Sequence, residues 1–540
     1  MAIIDFFDRG WRINPEGAAY IQEDRPYSFN EIGRLSCRIA RALLAAGFGR
    51  GGKGAVWAGN DATAWTCALG LWRANMAWIP VGARNAADEN RHVLDTFDCD
   101  VLFFQKDFEA PIAALRPQLP KIKLYVCIDG EAEGAVSLAA WVADHADSHL
   151  AIAVDLDDVV AISPTGGTTG LPKGVMNTHR SIQTFVAHFM IGCSYGALDR
   201  PVNLAAAPMT HTSGLLSLPC TARGGTVVIL AKPDPTLLLA AIPQYRVTEL
   251  FLPPTVIYRL LDIPDLNKKV DFSSLKYFLY GAAPMSLDKL KRAIEVFGPV
   301  MMESYGQTEA PGAIACLRPD EHFDAGALAS DERLSSVGRP NPLIRVEILD
   351  DDNRILPQGE AGEICVRGDL VMKGYYKDPA KTAETIVYGR LHTGDIGHLD
   401  AGGHLHITDR KKDMIISGGF NVYPSHARRT RADARSGDDR DQFQPDERGR
   451  ADVRRRRCRH LAGRAGQLPR VSRNDHTRGP GVGRGAHQSP VRQGHPDALP
   501  ARRCDTDRNR RTHDAPRRLQ CAADPDLGRH RRRLRSAEPL

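Results

Sequence analysis

Short apolar runs that alternate with helical patterns, up to about residue 330, are the feature that most constrains the fold. The runs have the length and composition of buried strands, and the intervening stretches repeat apolar residues at helical spacing. This alternation is typical of mainly parallel sheets covered by helices, and it predicts an α/β fold. The runs are VLFF, KLYVCI, VVAIS, NLAAAP, TVVIL, ELFLPP and KYFLYG.

From Ser336 the pattern changes to short alternating strands, RVEIL and EICVR, separated by DDDN and PQGEAGE. Together with the turn DAGG they predict antiparallel structure, which we interpret as a small β-barrel over about residues 336–408. We therefore predict a large N-terminal domain over residues 1–408 that ends in this barrel.

One glycine pattern resembles a dinucleotide site without its required context. Ser28 and Glu31 form a predicted capping box, which begins a helix that ends at Gly47. Gly47, Gly49 and Gly52 match GxGxxG, but this pattern closes a helix, whereas a dinucleotide fingerprint follows a strand and opens a helix. We interpret it as a turn from a helix into a strand.

The composition breaks after residue 425. Residues 1–425 hold 41 Lys and Arg against 50 Asp and Glu, whereas residues 426–540 hold 30 against 15, and all 30 of those cations are arginine. Leu, Ile, Val and Phe make up only 12 of the last 115 residues, too few to form a core. We interpret residues 426–540 as a non-native, disordered Arg-rich tail.

Simple compositional tests exclude several classes of protein. No apolar run approaches the roughly 20 residues that span a bilayer, so no membrane span and a cytoplasmic location are expected. The eleven cysteines include no CxxC pair, which favours reduced thiols over disulfides or a zinc site.

A basic tail can bind phosphate backbones non-specifically, and a nucleic-acid binder is one alternative. The tail lacks interleaved aromatic residues, so no specific nucleic-acid partner is expected.

The stretch SPTGGTTGLPKG, residues 163–174, directly follows the predicted strand VVAIS. Backbone N–H groups, hydroxyls and one ammonium can converge here on an anion such as a polyphosphate. The stretch has no GxxxxGK[ST] register, so it is not a Walker loop. Composition alone also allows a flexible linker.

Four further stretches accompany it in the order and approximate spacing of one family: YGAAP (280–284), YGQTEA (305–310), TGDIG (393–397) and DRKKDMIISGGFNVYPS (409–425). Over residues 1–425 the chain resembles the adenylate-forming superfamily, which includes acyl-CoA synthetases, luciferases and peptide-synthetase adenylation domains. The resemblance implies that ATP, with Mg²⁺, activates a fatty or aromatic carboxylic acid to an acyl-adenylate, and that coenzyme A then displaces AMP. A ligase that stops at the acyl-adenylate or passes it to a carrier protein is an alternative.

The resemblance also implies roles for individual residues. Thr308 would contact the α-phosphate, Glu309 would hold Mg²⁺, and His211 would gate the acyl pocket. Lys412 would be the hinge pivot, and Gly418 and Gly419 would line the thiol tunnel. The ATP site would comprise Thr165, Gly167, Thr168, Thr169, Gly170, Lys173, Gly281, Ala282, Ala283, Tyr305, Thr308, Asp395 and Arg410, with Asp395 and Arg410 at the ribose and Lys173 counted among the catalytic residues.

Each of these residues also has a plainer interpretation. Glu309 could be a solvated loop acid, Asp395 a turn residue, Arg410 a surface ion-pair partner and His211 a structural histidine. Glu303 departs from the family, because many relatives carry an amide two residues before the tyrosine of YGxTE.

In the family, residues 409–425 would form the hinge and the start of a C-terminal lid domain that supplies a late catalytic lysine. Residues 426–540 contain no lysine, and they favour amino acids with G- and C-rich codons. We therefore interpret the tail as the product of a frameshift near codon 426. Loss of the lysine would depress the first half-reaction by roughly a hundredfold to a thousandfold.

Resequencing the gene around codon 426 tests this interpretation. We expect the alternate reading frame to encode a coherent α/β domain that contains lysine. An alternate frame without such a domain would show that the frameshift interpretation is wrong.

Overall fold

A computed structural model describes residues 1–165, 172–210, 212–411, 415–417 and 420–422. All of these residues belong to one compact unit, Met1–Arg440. The Arg-rich tail of residues 426–540 lies outside the described residues, so its interpretation stays a prediction. The domain boundary after residue 408 and the hinge over residues 409–425 also stay predictions.

Twenty-six strands are described along the chain. In chain order they are β1 Ala18–Gln22, β2 Arg25–Ser28, β3 Lys53–Trp57, β4 Ala77–Pro80, β5 Val101–Phe104, β6 Leu124–Cys127, β7 Val136–Ser137, β8 Val159–Thr165, β9 Lys173–Thr178, β10 Val202–Ala205, β11 Thr226–Ile229, β12 Glu249–Leu252, β13 Tyr277–Gly281, β14 Met301–Gln307, β15 Ala310–Leu317, β16 Phe323–Asp324, β17 Ala327–Leu328, β18 Arg339–Pro340, β19 Ile344–Leu349, β20 Gly362–Gly368, β21 Gly374–Tyr375, β22 Ile386–Val387, β23 Arg390–Leu399, β24 Leu405–Arg410, β25 Ile415–Ser417 and β26 Phe420–Val422.

Fourteen α-helices are described between these strands. They are α1 Ile4–Ile13, α2 Phe29–Ala45, α3 Ala62–Arg73, α4 Ala87–Thr96, α5 Glu109–Leu115, α6 Leu138–Val142, α7 His179–Gly192, α8 Thr212–Thr221, α9 Pro235–Gln244, α10 Pro254–Leu261, α11 Leu266–Lys269, α12 Leu287–Phe297, α13 Asp331–Leu334 and α14 Pro379–Thr385. None of the described helices combines the length and the apolar content that a bilayer crossing requires.

Two large sheets form the body of the fold. The first has nine strands in the order β18-β15-β14-β13-β12-β10-β11-β1-β2, and the second has eight in the order β21-β9-β8-β4-β3-β5-β6-β7. Pairings in the middle of both sheets are parallel, from β1 through β11 to β14 in the first and from β8 to β7 in the second. The prediction of an α/β fold with mainly parallel sheets is confirmed.

Antiparallel pairings lie at both ends of the first large sheet and at the β21 end of the second. Strand β15 turns back on β14, and β9 pairs antiparallel with both β8 and β21. The two described ends of SPTGGTTGLPKG therefore lie at the end of β8 and the start of β9. These antiparallel edges matter because they carry several of the predicted site residues.

The region after Ser336 forms the predicted antiparallel structure. Four strands run in the order β19-β20-β23-β22, and a fifth strand, β24, also pairs with β23. Within the described residues the strands β19 and β24 are not paired with each other. The five strands therefore form a branched sheet rather than the closed barrel that the sequence predicts.

The N-terminal helices follow the sequence signals closely. Ser28 caps α2, and its side chain and that of Glu31 make the reciprocal bonds of a capping box. Gly47 adopts φ +83° directly after this helix, a left-handed conformation that glycine adopts without steric cost. The GxGxxG pattern therefore lies in the turn between α2 and β3, as predicted.

A buried ion pair ties the first three helices together. The guanidinium of Arg73, on α3, donates to both carboxylate oxygens of Asp8, on α1, at 2.5 and 3.0 Å. It also donates to the hydroxyl of Ser36 on α2 at 3.1 Å and to the carbonyl of Leu150 at 3.0 Å. The side chains of Arg73 and Asp8 are 1% and 4% exposed, and His149 Nε2 also lies 2.9 Å from Asp8 Oδ2. The buried Arg73 charge therefore depends on the Asp8 carboxylate for its compensation.

Removing one partner of this pair should be costly. We expect Arg73→Ala to lower the free energy of unfolding by about 3–5 kcal/mol, because the Asp8 carboxylate would remain buried without its counter-ion. Denaturant-induced unfolding of the full chain provides the measurement.

Arg292→Ala is the matched control, since the Arg292 pair with Glu295 is exposed on one helix face. That substitution should cost less than about 1 kcal/mol. Equal losses from the two variants would contradict a special role for the buried pair.

Candidate active site

A cavity of about 1650 Å³ lies at the carboxyl ends of the parallel strands. Its wall includes the ends of β8, β13 and β14, together with residues that follow β3 and β10. Parallel sheets characteristically bind their ligands at this edge. Part of the five-stranded sheet completes the wall, through residues of β23 and β24.

Every predicted site residue that the structure describes lines this one cavity. These residues are Thr165, Lys173, Gly281, Ala282, Ala283, Tyr305, Thr308, Glu309, Asp395 and Arg410. The remaining predictions concern residues outside the described part of the chain, namely Gly167, Thr168, Thr169, Gly170, His211, Lys412, Gly418 and Gly419.

The β8–β9 hairpin brings a hydroxyl and an ammonium together. Thr165 and Lys173 are direct partners in its antiparallel register. The Lys173 Nζ lies 5.4 Å from the centre of the Tyr375 ring, within the range of a cation–π contact. Among the described residues, the contact recorded for its ammonium is with this aromatic ring and not with a carboxylate.

Glu309 lies in the turn between β14 and β15, and two contacts hold it. The hydroxyl of Tyr375 donates to its Oε1 at 2.8 Å, and the backbone N–H of Met372 donates to its carbonyl at 2.8 Å. Burial and the nearby Glu309 charge raise the pKa of Tyr375, so the phenol remains a donor. Sequence analysis did not identify Tyr375, although the aromatic pair in KGYYKDP was available as a signal.

Thr308 precedes Glu309 in the same turn. Its carbonyl accepts a hydrogen bond from the amide of Asn177, at 3.2 Å, on strand β9. The turn that carries Thr308 and Glu309 is therefore bonded to the strand that begins at Lys173.

Asp395 and Arg410 are cross-strand partners on β23 and β24. The Arg410 Nε lies 3.5 Å from Asp395 Oδ1, and the hydroxyl of Tyr305 donates to Asp395 Oδ2 at 2.7 Å. Burial and the Asp395 charge hold the pKa of Tyr305 well above its ordinary value. These contacts link the five-stranded sheet to the first large sheet at the cavity.

The YGAAP stretch forms a wall with little side-chain bulk. Gly281 pairs with Ser304, and a Cβ at Gly281 would lie 2.3 Å from the Ser304 carbonyl oxygen. Only glycine fits this close approach. Ala282 adopts φ +63°, and Ala282 and Ala283 are exposed to the cavity side of the turn. A flat ring could lie against this backbone, as the sequence predicts for adenine.

Glu303, the residue that departs from the family pattern, also lines the cavity. Burial raises its pKa to about 8, and a hydrogen bond from the Tyr280 hydroxyl, at 3.3 Å, only partly offsets that effect. The same hydroxyl lies 3.4 Å from His322 Nε2, and burial lowers the pKa of that imidazole. Glu303 is therefore a carboxyl group that is largely protonated at neutral pH.

An apolar region of the wall was not identified by sequence analysis. Phe185 and Phe189 on α7 pack with ring centres 4.9 Å apart, and they line the cavity with Leu215, Leu216 and Phe251. Their signal is the four-residue spacing of two phenylalanines on a helix, which equally indicates an ordinary core face. These apolar side chains line the same cavity as Lys173 and Glu309, which favours a binding surface over an ordinary core face.

Glu309 supplies an oxygen ligand that suits a hard cation such as Mg²⁺, which fits the predicted metal role. Elsewhere in the described chain, Glu363, Cys365 and His392 bring ligand atoms within 4.8 Å of one another. However, His392 and Lys411 already contact the Glu363 carboxylate, at 3.0 and 3.1 Å. The second group is therefore a charge-balanced cluster on the five-stranded sheet.

Known proteins share this fold and much of this sequence. The medium/long-chain-fatty-acid–CoA ligase FadD8 of Mycobacterium tuberculosis is 40% identical over 292 residues, 54% of this chain and 49% of that protein. This chain therefore matches only about half the length of that relative. A feruloyl-CoA synthase of an Amycolatopsis species is 32% identical over 416 residues, 77% of this chain and 79% of that one.

The solved structure of the amide bond synthetase McbA from Marinactinospora thermotolerans is similar with a TM-score of 0.70 at 30% identity, over 78% of this chain and 82% of that one. A family model described as AMP-binding enzyme matches residues 7–376. The resemblance stated from five sequence motifs is thereby confirmed: the chain belongs to the AMP-binding enzyme family of the adenylate-forming superfamily.

Proposed function

We propose that this protein uses ATP to activate a carboxylic acid as an acyl-adenylate and then transfers the acyl group to the thiol of coenzyme A. The observation that carries the proposal is the convergence of Lys173, Thr308, Glu309 and Asp395 on one cavity. Two relatives, one named as a medium/long-chain-fatty-acid–CoA ligase and one as a feruloyl-CoA synthase, support this reaction type.

The triphosphate would lie beside the β8–β9 hairpin. The Lys173 ammonium and the Thr165 hydroxyl would bind the phosphates, and the intervening loop, with Gly167, Thr168, Thr169 and Gly170, would add donors. Thr308 would hold the α-phosphate while the acid carboxylate attacks it and pyrophosphate leaves. Glu309 would hold Mg²⁺, which supplies positive charge to the phosphates. Fixed donors aimed at developing charge usually supply the largest part of such catalysis.

The nucleoside would occupy the opposite part of the cavity. Asp395 can accept hydrogen bonds from both ribose hydroxyls, and Arg410 can donate to the ribose or to a phosphate. The Gly281–Ala283 backbone would face the adenine. The Tyr305 hydroxyl donates a hydrogen bond to Asp395 and would hold that carboxylate in place. The Tyr305 ring would also offer a face on which the adenine could stack.

The acid would extend its tail along the apolar wall of Phe185, Phe189, Leu215 and Phe251. Burial of such a tail contributes about 25 cal/mol per Å², which favours a fatty or aromatic acid over a polar one. His211 would gate this pocket near the carboxylate.

For the second half-reaction we propose that Lys412 is the pivot and that Gly418 and Gly419 line the path of the thiol. We also propose that the missing lysine of the Arg-rich tail lowers the rate of adenylation. An acceptor other than coenzyme A is the alternative, because a solved structure similar to this chain is named an amide bond synthetase. Release of AMP that depends on coenzyme A distinguishes a CoA ligase from an enzyme that uses another acceptor.

Exchange of labelled pyrophosphate into ATP, measured with a panel of fatty and aromatic acids, tests the activation step. We expect Lys173→Met to reduce acid-dependent exchange by about a hundredfold, because the leaving pyrophosphate would lose a fixed positive charge.

Lys121→Met is the control, since Lys121 pairs with Asp95 and Asp98 outside the cavity. It should leave exchange unchanged. Equal exchange rates for Lys173→Met and the wild type would exclude the proposed phosphate site.

Glu303 should make nucleotide binding depend on pH. Its pKa is raised from 4.5 to about 8, so ionisation above about pH 8 places a negative charge in the cavity. We expect the Kd for ATP to rise severalfold between about pH 7 and about pH 9 in the wild type, and to rise less in Glu303→Gln.

The raised pKa of Glu303 also makes the free energy of unfolding depend on pH. Because the folded state holds the proton more tightly, the stability that Glu303 contributes falls as the pH rises from about 4.5 to about 8. Thermal unfolding across this interval should therefore show a smaller decline for Glu303→Gln. Parallel pH profiles for the two proteins would contradict the raised pKa.

A further inference from the structure

Tyr375 contacts both Lys173, at the start of β9, and Glu309, in the turn between β14 and β15. Its backbone pairs with Val175 in the β9–β21 ladder, so it lies two residues along the sheet from Lys173. The preceding Gly374 adopts φ +144°, and a Cβ there would lie 2.7 Å from Thr382 Cγ2. Thr382 also accepts the N–H of Tyr375 through its hydroxyl, at 2.8 Å. The position of the Tyr375 backbone is therefore fixed on both sides.

Tyr375 is 7% exposed, and its side chain is hydrogen-bonded to those of Glu309 and Thr385. It donates to Glu309 Oε1 at 2.8 Å. Within the described part of the chain, no hydrogen bond to Glu309 Oε2 accompanies it. The contact thus orients the carboxylate while one of its oxygens stays available to a cation.

The ring of the same tyrosine supports the Lys173 ammonium. The distance of 5.4 Å between Nζ and the ring centre corresponds to a cation–π contact, which attracts the ammonium without neutralising its charge. A carboxylate in that position would instead compete with a phosphate for the lysine. An aromatic ring therefore suits a lysine whose proposed ligand is an anion.

We infer that Tyr375 is a positioning residue for the activation step: its hydroxyl aims Glu309 at the metal and its ring aims Lys173 at the phosphates. The inference rests on the proposed function, since it assigns no ligand of its own. Glu309 and Lys173 then depend on the same side chain for their orientation, because both contact Tyr375.

Tyr376 provides a matched comparison within the same chain. Its hydroxyl also donates to a carboxylate, Asp98 Oδ2, at 2.7 Å. Neither Tyr376 nor Asp98 lines the cavity. Removal of the Tyr376 hydroxyl thus costs a similar hydrogen bond, and so a similar amount of stability, without altering Glu309 or Lys173.

The test uses the full-length protein and two single substitutions, Tyr375→Phe and Tyr376→Phe. Binding of a fluorescent ATP analogue is titrated with Mg²⁺, and pyrophosphate exchange is measured with the best acid of the panel. Partners that orient a metal ligand typically change metal affinity or activity by 10–100-fold when they are removed. We expect Tyr375→Phe to raise the Mg²⁺ concentration at half-saturation by about tenfold or more and to lower kcat for exchange, with the KM for the acid unchanged.

Tyr376→Phe should match the wild type in both measurements. Because the ring remains in Tyr375→Phe, Tyr375→Leu separates its two roles, and it should weaken binding of the nucleotide measured without Mg²⁺ as well. A Tyr375→Phe variant with wild-type Mg²⁺ dependence and kcat would overturn the inference, as would equal effects from Tyr376→Phe. If the wild-type protein binds no ATP analogue at any Mg²⁺ concentration, the proposed function itself is wrong, and the inference falls with it.

Discussion

The position of β9 between β8 and β21 is the constraint on which the rest of the site depends. One edge of this strand aligns Lys173 with Thr165, and the other edge holds Tyr375 against the turn that carries Glu309. Both ladders are antiparallel, and their backbone hydrogen bonds fix the positions of residues whose side chains meet at the cavity. A phosphate site of this type needs fixed donors, because donors that reorganise during the reaction lose much of their electrostatic benefit.

The large sheets deliver the remaining groups to the same place. Parallel strands end at a common edge, which brings the ends of β13 and β14 to the cavity from the first large sheet. The end of β8 reaches the same cavity from the second large sheet. The five-stranded sheet adds Asp395 and Arg410 from the other side, and the Tyr305–Asp395 bond joins the two walls. The buried Asp8–Arg73 pair has a structural role, since it holds helices α1 and α3 together.

Much of the fold was predictable from the sequence, because it depends on local patterns. The capping box of α2, the glycine turn after it and the two ends of the β8–β9 hairpin follow from short-range signals. The five motifs correctly predicted a family, and every predicted site residue that the structure describes lines one cavity. Tyr375 was missed because its role depends on a contact across 66 positions in the chain, which no local pattern encodes. The raised pKa of Glu303 was likewise invisible, since it results from burial among residues of distant segments.

The branched arrangement of the five-stranded sheet has a mechanical consequence. Strand β24 pairs with β23, and this ladder joins Arg410 directly to Asp395. Lys411 is anchored on Asp351 and Glu363, at 3.1 Å each, immediately beyond the ladder. A force applied to the chain after Lys411 must therefore first break these anchors, or else be transmitted through two strands to the carboxylate that faces the proposed ribose site.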